Sequence, residues 1–292
     1  MRFSAAEMWG DMRKLWLITN PASGSSSPAK CEAIEILLRD RGLTLGGRTA
    51  FPAESLPDAA ALDAAEIDLV VLFAGDGTIN AALCALATWE GGFLILPGGT
   101  MNLLARSLHG DADPAAIVAA AHEDARRIAL PLIEAGPHRA FVGLILGPAA
   151  HWYRAREMAR AGRPRRMLSA ALGAWRRTFG RGVRISGAPG LRARYQAVFV
   201  QPGATRLAVA AIDARDWRAI AELGWDWLTG DWVRARAVDE AETDALRLAE
   251  GQPVLALFDG EPVRLDAGTR ITPGLSRVAF VTTLPEAGSD PG

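Results

Sequence analysis

The stretch LFAGDGTINAAL, residues 72–83, decides how this chain is read. It begins at the end of an unbroken apolar run, IDLVVLF (67–73). Apolar residues without alternation are what a central parallel strand needs when both of its faces are covered. The residues after the turn, TINAALCALATW (78–89), have helical character. A strand, a glycine turn and a helix, in that order, form the junction at which open α/β sheets hold ligands. Glycine lets backbone N–H groups approach phosphate oxygens, and the start of the helix adds partial positive charge. Asp76, at the centre of the turn, runs against that preference. A carboxylate beside phosphates is repulsive unless a cation or a proton lies between them. Asp76 therefore points to metal or proton handling, although Asp-Gly is also an ordinary turn dipeptide.

Working outward, the same alternation recurs. KLWLITN (14–20) reads as a buried strand, PASGSSSP (21–28) as a loop and AKCEAIEILLRDRG (29–42) as a helix ending at Gly42. LTLGGRTAF (43–51) is a second strand, PDAAALDAAE (57–66) a helix, and FLILP (93–97) a fourth strand after the one ending at Phe73. GGTMNLLARSLHG (98–110) and a helix over DPAAIVAAAHEDAR (113–126) follow. Strands and helices alternating at these lengths predict a doubly wound α/β domain over residues 1–127. Beyond it the texture changes to short runs broken by turn residues, such as RARYQAVFVQPG (192–203), RLAVAAID (206–213), VLALFDGEPVRLDAG (254–268) and RVAFVTTL (277–284). They predict a mainly antiparallel β-domain over 128–292, with a disordered tail at 286–292.

Three strand ends in the first half carry small or polar turns: NPASG (20–24), AGDGT (74–78) and PGGTMN (97–102). Ser23, Thr78 and Thr100 are candidate helix caps and hydroxyl donors there. The chain has only two lysines, Lys14 and Lys30, and neither lies in a glycine turn. The G-x-x-x-x-G-K-[ST] loop, the Rossmann fingerprint and the protein-kinase lysine with D-F-G are all missing. Phosphate binding would rest on backbone amides, hydroxyls and a cation. The net charge of −1 gives no global basic field for nucleic acid. Cys31 and Cys84, far apart, read as small buried hydrophobes. His109, His122, His138 and His151 have no metal-ligand spacing. No apolar run reaches the ~18 residues of a membrane-spanning helix, and the opening MRFSAAEMWGDM lacks the apolar core of a signal peptide. The expectation is a cytoplasmic protein, with a peripheral place at the inner membrane surface open to it. Residues 151–181, where arginines mingle with Trp152, Tyr153, Met158, Met167, Leu168, Trp175 and Phe179, suit either an amphipathic helix packed on the β-domain or a membrane-surface helix. The tryptophans of WDWLTGDW (225–232) read as a packed loop or a lipid-facing surface.

Taken together and in this order, NPASG (20–24), AGDGTIN (74–80), PGGTMNLLAR (97–106) and FDGE (258–261) resemble the diacylglycerol kinase catalytic-domain family, which includes bacterial lipid kinases, sphingosine kinases and ceramide kinases. The resemblance implies an N-terminal α/β nucleotide-binding domain that binds ATP with Mg²⁺ and a C-terminal β-sandwich. It also implies transfer of the γ-phosphate to a hydroxyl of a diacylglycerol-like or ceramide-like membrane lipid. By that resemblance Asn20, Pro21, Ser23, Gly24, Gly75, Asp76, Gly77, Thr78, Gly98, Gly99, Thr100 and Asn102 match nucleotide-binding positions, and Thr49 a further nucleotide contact. Asp76 would organise the metal and the nucleophile, and Glu261 matches the proton acceptor. The chain departs from the family pattern at Ala74, where a glycine is usual, at Leu103, which follows Asn102 in place of an aspartate, and at GPAAH (147–151), which lacks the usual acid. The acidic stretch tied to a structural Mg²⁺ in some bacterial members has no counterpart near GATRLAVAAI (203–212). Two other readings stay open: an NAD kinase, which shares the Gly-Asp-Gly-Thr turn, and a nucleotide- or lipid-binding protein without turnover.

Overall fold

The computed structural model describes residues 14–24, 26–124, 126–147, 182–212 and 238–285. The arginine-rich 151–181 stretch with His151, the tryptophans at 225–232, most of GPAAH and the 286–292 tail lie outside the described residues. The chain divides into two units, one running to Leu130 and resuming at Ser276, the other spanning Pro131–Leu275.

The first unit is built on strands β1 (Lys14–Thr19), β2 (Thr44–Ala50), β3 (Leu69–Ala74), β4 (Gly92–Pro97), β5 (Arg126–Ile128) and β18 (Ala279–Thr282), in the order β2-β1-β3-β4-β18-β5. All neighbours are parallel except β18 with β5. Every residue of β3 is buried, as the unbroken apolar run requires. On one face Leu15, Leu17, Leu69, Val71, Phe73, Leu94 and Leu96 cluster with Ile34 and Leu38 of α1 (Pro28–Asp40) and Ile117, Val118 and Ala121 of α5 (Pro114–Asp124). The alternate positions point the other way, where Phe93 stacks on Phe280 at 5.8 Å and meets Trp89 edge-on at 5.5 Å. Helices α2 (Ala59–Ala64), α3 (Asp76–Ala85) and α4 (Leu103–His109) complete the crossovers. Ser27 caps α1 through Lys30 N, and Gly42 takes the positive φ (78°) that ends it.

The second unit has two antiparallel sheets. One is ordered β10-β9-β14-β17-β6-β7, with β6 (Pro131–Ala135), β7 (His138–Ala140), β9 (Val183–Ser186), β10 (Arg194–Tyr195), β14 (Leu246–Leu248) and β17 (Arg270–Leu275). The other is ordered β13-β12-β11-β8-β15-β16, with β8 (Leu144–Leu146), β11 (Ala197–Pro202), β12 (Leu207–Ile212), β13 (Val238–Thr243), β15 (Val254–Phe258) and β16 (Glu261–Leu265). Their strands alternate, and the inward residues of both sheets, among them Val183, Ile185, Leu246 and Ile271 from one and Leu146, Val198, Val209 and Phe258 from the other, form one core.

The structure differs from the sequence expectation at the end of the chain. RVAFVTTL reads as part of the antiparallel domain, but β18 lies beside β4 in the first sheet, with Phe280↔Phe93 in parallel register. The reason is burial on both faces: Phe280, Val281 and Thr282 are all 3% exposed or less, so the strand needs cover on two sides. Burying Phe280 alone stabilises by about 1.5–3 kcal/mol. Thr282 Oγ1 also donates to Leu108 O at 2.7 Å, tying β18 to the end of α4.

Candidate functional site

In the first sheet the connections run from β1 outward to β2, then across to β3 and on to β4. The order reverses between β1 and β3, and a crevice opens at the carboxyl ends of strands at such a point. The three small-residue turns all leave from that edge. The ends of β1 and β3 are joined there by Asn20 N donating to Phe73 O at 3.3 Å, and Gly98 N donates to Ala74 O at 3.1 Å.

The turns touch one another. Asn20 Nδ2 donates to Thr78 Oγ1 at 2.9 Å, linking the first turn to the second. Ser23 Oγ lies 3.0 Å from both Asn20 O and Gly98 O, linking the first to the third. Leu103 N donates to Asp76 Oδ1 at 2.7 Å, linking the third to the second. Two glycines are dictated by this contact. A Cβ on Gly99 would sit 2.5 Å from Gly75 Cα, and one on Gly24 would sit 2.5 Å from Thr100 Oγ1 and 2.9 Å from its backbone nitrogen. Pro21 starts the first turn; Gly24 and Thr100 are exposed, Gly98 and Gly99 buried, and Gly77 half-buried in the first turn of α3.

The helix starts differ from the sequence expectation. The residue before α3 is Gly75, which has no side chain to cap it, and Thr78 lies inside the helix as the acceptor for Asn20. The N-terminal N–H groups of α3 therefore have no side-chain cap from their own N-cap residue, the arrangement an anion complements. Ser23 and Thr100 do not cap helices either; Ser27 and Asn102 occupy those positions. Asn102 adopts the left-handed conformation (φ 52°), and its side chain folds back on its own turn, accepting from Gly99 N at 2.7 Å and donating to Gly99 O at 3.1 Å. Its amide shapes the turn. Asp76 is held between two helix starts. Burial pushes its pKa up, and backbone N–H donors, that of Leu103 first, oppose the rise. Thr49, near the end of β2, is buried and accepts from Trp16 Nε1 at 3.0 Å, so its hydroxyl serves the packing of the sheet.

Glu261 belongs to the second unit. It opens β16, exposed, directly across from Phe258 in the β15–β16 hairpin. The turn between them is Asp259-Gly260, both with positive φ (47° and 89°), the two-residue hairpin expected of Asp-Gly. Sequence reasoning missed what Asp259 does. Its buried carboxylate accepts from Phe141 N, Val142 N and Gly143 N at 2.8, 2.8 and 2.9 Å, while Asp259 N donates to Gly143 O at 3.0 Å. The hairpin that presents Glu261 is thus clamped onto the β7–β8 connection. The Asp-Gly pair signals the turn, but its partners lie more than a hundred residues earlier and leave no local mark.

Among the described residues no three His, Cys, Asp or Glu side chains gather as a metal site. No helix of the described residues is long and apolar enough to cross a membrane. Residues 14–132 match the family model for the diacylglycerol kinase catalytic domain. A comparison with curated proteins finds no match. Among solved structures, a diacylglycerol kinase from Bacillus anthracis str. Sterne is similar in fold, with a TM-score of 0.64 at 15% identity, covering 92% of this chain and 97% of the other. Two further structures from the same organism match with TM-scores of 0.62 at 18% and 17% identity, with the same coverage. The three turns at the sheet edge all lie within residues 14–132, the part of the chain that matches the diacylglycerol kinase catalytic-domain family.

Proposed function

We propose that this protein is an ATP-dependent lipid kinase that transfers the γ-phosphate to a hydroxyl of a diacylglycerol-like or sphingoid-like lipid. The observation that carries the reading is the three mutually bonded turns at the reversal point of the first sheet, with Asp76 bridging two of them. The close glycine contacts and the α3 start without a side-chain cap suit a polyphosphate held by backbone groups. Neither lysine lies within a turn: Lys14 opens β1, at the end of the strand away from the turns, and Lys30 is in α1.

Among the described residues the donor set suits Mg²⁺ as a companion of the nucleotide. With no three-ligand cluster among the described residues, the ion would be carried by ATP's phosphates with Asp76 as the protein carboxylate beside them. Mg²⁺ bound there would neutralise charge developing on the phosphates. Asn20, Ser23 and Asn102 keep the turns in register, so that their peptide groups meet the phosphates without rearrangement. Glu261 takes the proton of the lipid hydroxyl at its carboxylate, and Asp259 holds the hairpin that presents it. A lipid hydroxyl is a weak nucleophile at neutral pH, so general-base help of this kind contributes roughly 10²–10⁴ in rate.

Radiolabelled ATP with a crude lipid extract tests the reading. Label in the organic phase, identified as a lipid phosphate by mass spectrometry and lost in Glu261→Gln while ATP still raises the melting temperature, is the expected result. Normal turnover in Glu261→Gln removes Glu261 from the mechanism, and label in NADP instead of lipid replaces the function with that of an NAD kinase.

A further inference from the structure

We infer that the outward face of strands β10, β9, β14 and β17 is a docking surface for an anionic phospholipid membrane. Along these strands the inward positions Tyr195, Val183, Ile185, Leu246, Leu248 and Ile271 fill the core. The positions between them are Arg194, Arg184, Arg247 and Arg270, all exposed. Register places them in pairs: Arg194 lies directly across from Arg184, and Arg247 directly across from Arg270. Ser186, on the other side of Arg247, is the remaining outward residue of β9.

Like charges directly opposite each other on antiparallel strands destabilise the pairing, and this sheet carries two such pairs side by side. Across four strands, at about 4.8 Å per spacing, the guanidinium groups fall within a patch roughly 15 Å wide. Three other described arginines of the same unit are paired, Arg206 with Asp244 at 3.0 Å and Glu242 at 3.5 Å, Arg192 with Asp239 at 3.5 Å, and Arg139 with Glu134 at 3.5 Å, while Arg264, on the other sheet, has no ion pair among the described residues. Among the described residues none of the four on this face has an ion-pair partner. Glu250, the acid beside them, accepts from the backbone N–H of Arg184 at 2.7 Å.

The chemistry of the patch selects a negatively charged, extended partner. Guanidinium groups are weakly hydrated and match phosphate oxygens in geometry. A planar array of them suits the phosphate layer of a bilayer better than a nucleic acid, because the outward positions of these strands hold no aromatic side chain on which bases could stack. The inference deepens the lipid-kinase reading, on which its biological sense rests, by naming the surface that would bring the second unit to its substrate. Binding is measured without turnover, so the two fail separately.

The test is co-sedimentation with vesicles of phosphatidylcholine alone and of phosphatidylcholine mixed with phosphatidylglycerol. The intact protein should bind the mixed vesicles, less so at high salt. Each arginine near an anionic surface is worth about fivefold in partitioning, so Arg247→Gln with Arg270→Gln should weaken binding by roughly 25-fold. Arg184→Gln with Arg194→Gln should do the same and serves as the second variant if the first fails to fold. Arg247→Lys with Arg270→Lys should preserve binding, and Arg206→Gln, on the other sheet, should leave it unchanged. Equal binding by both glutamine pairs and the parent, or no preference of the parent for phosphatidylglycerol, overturns the inference. So does binding of an RNA or DNA oligonucleotide that falls in these variants while vesicle binding does not. Phosphorylation of a short-chain, water-soluble diacylglycerol by the same variants separates loss of docking from failure of the kinase reading.

Discussion

Gly99→Ala and Gly75→Ala form a matched pair in which the close approach of two turns decides the outcome. The two glycines face each other, but not symmetrically. A methyl on Gly99 meets Gly75 Cα at 2.5 Å, whereas a methyl on Gly75 meets Gly99 Cα at 3.4 Å and Ser23 Cβ at 3.5 Å. Carbon atoms rest about 3.5–4.0 Å apart, so Gly99→Ala must push the turns about 1 Å from each other. What resists is backbone, held by Gly98 N to Ala74 O at 3.1 Å and Gly99 N to Asn102 Oδ1 at 2.7 Å. Overpacking of this kind costs about 1–3 kcal/mol, and a weakened hydrogen bond adds about 1. Gly99→Ala should therefore lower the melting temperature by roughly 4–16 °C, taking 2–4 °C per kcal/mol for a domain of this size. Gly75→Ala should cost under about 1 kcal/mol, since its added methyl lies at ordinary contact distance. It should nonetheless impair ATP binding, because the methyl projects between turns that must stay accessible to phosphate. Scanning calorimetry with and without ATP reads both effects. If Gly99→Ala melts with the parent, or Gly75→Ala is the less stable of the two, the tight packing of the turns is not what these residues are for.

Asp76→Asn should melt above the parent at neutral pH while phosphate transfer is lost. The raised pKa means that the fold disfavours the ionised carboxylate; the stability contributed by the protonated form is full below 3.8 and disappears as pH rises through the folded value. Equal pH–stability curves for the two proteins would contradict this. His109, 4% exposed, has a pKa lowered by burial to about 4 from 6.5, and its Nδ1 lies 3.0 Å from Thr283 Oγ1. Its contribution is full above pH 6.5 and is lost as pH falls toward 4, about 3 kcal/mol in all. His109→Leu should flatten that acid-side decline in urea titrations, and an unchanged slope refutes the assignment. Asp259→Ala leaves three backbone N–H groups without their acceptor and should destabilise the second unit by about 3 kcal/mol or more. Hydrogen exchange at residues 141–143 should rise in that variant; unchanged protection there would show the clamp to be dispensable.

Much of the first sheet was legible because its strands are long and apolar. β3 and β4 are almost unbroken buried runs and β1 is buried from Leu17 onward, each followed by a turn whose glycines and small polar residues mark a helix start. The features that stayed hidden are those set by distant partners. Nothing within RVAFVTTL distinguishes a strand of the second unit from one beside β4; only the neighbours that cover Phe280 and Val281 decide it. Ser23 and Asn102 match nucleotide-binding positions by the family resemblance, yet the Ser23 side chain joins the first turn to the third and the Asn102 side chain braces its own turn. Thr49 sits in a strand whose glycines, Gly46 and Gly47, gave little periodic signal, and its Trp16 partner comes from the neighbouring strand. Asp259 is legible as a turn residue and illegible as a clamp.

The return of β18 to the first sheet has a consequence for synthesis. Until the ribosome has passed residue 282, the outer edge of β4 has no strand to pair with and β5 has nothing to bind. The nascent protein therefore carries an open, strongly apolar sheet edge for the whole time that the second unit is being made, which is when a strand-capping chaperone would matter most.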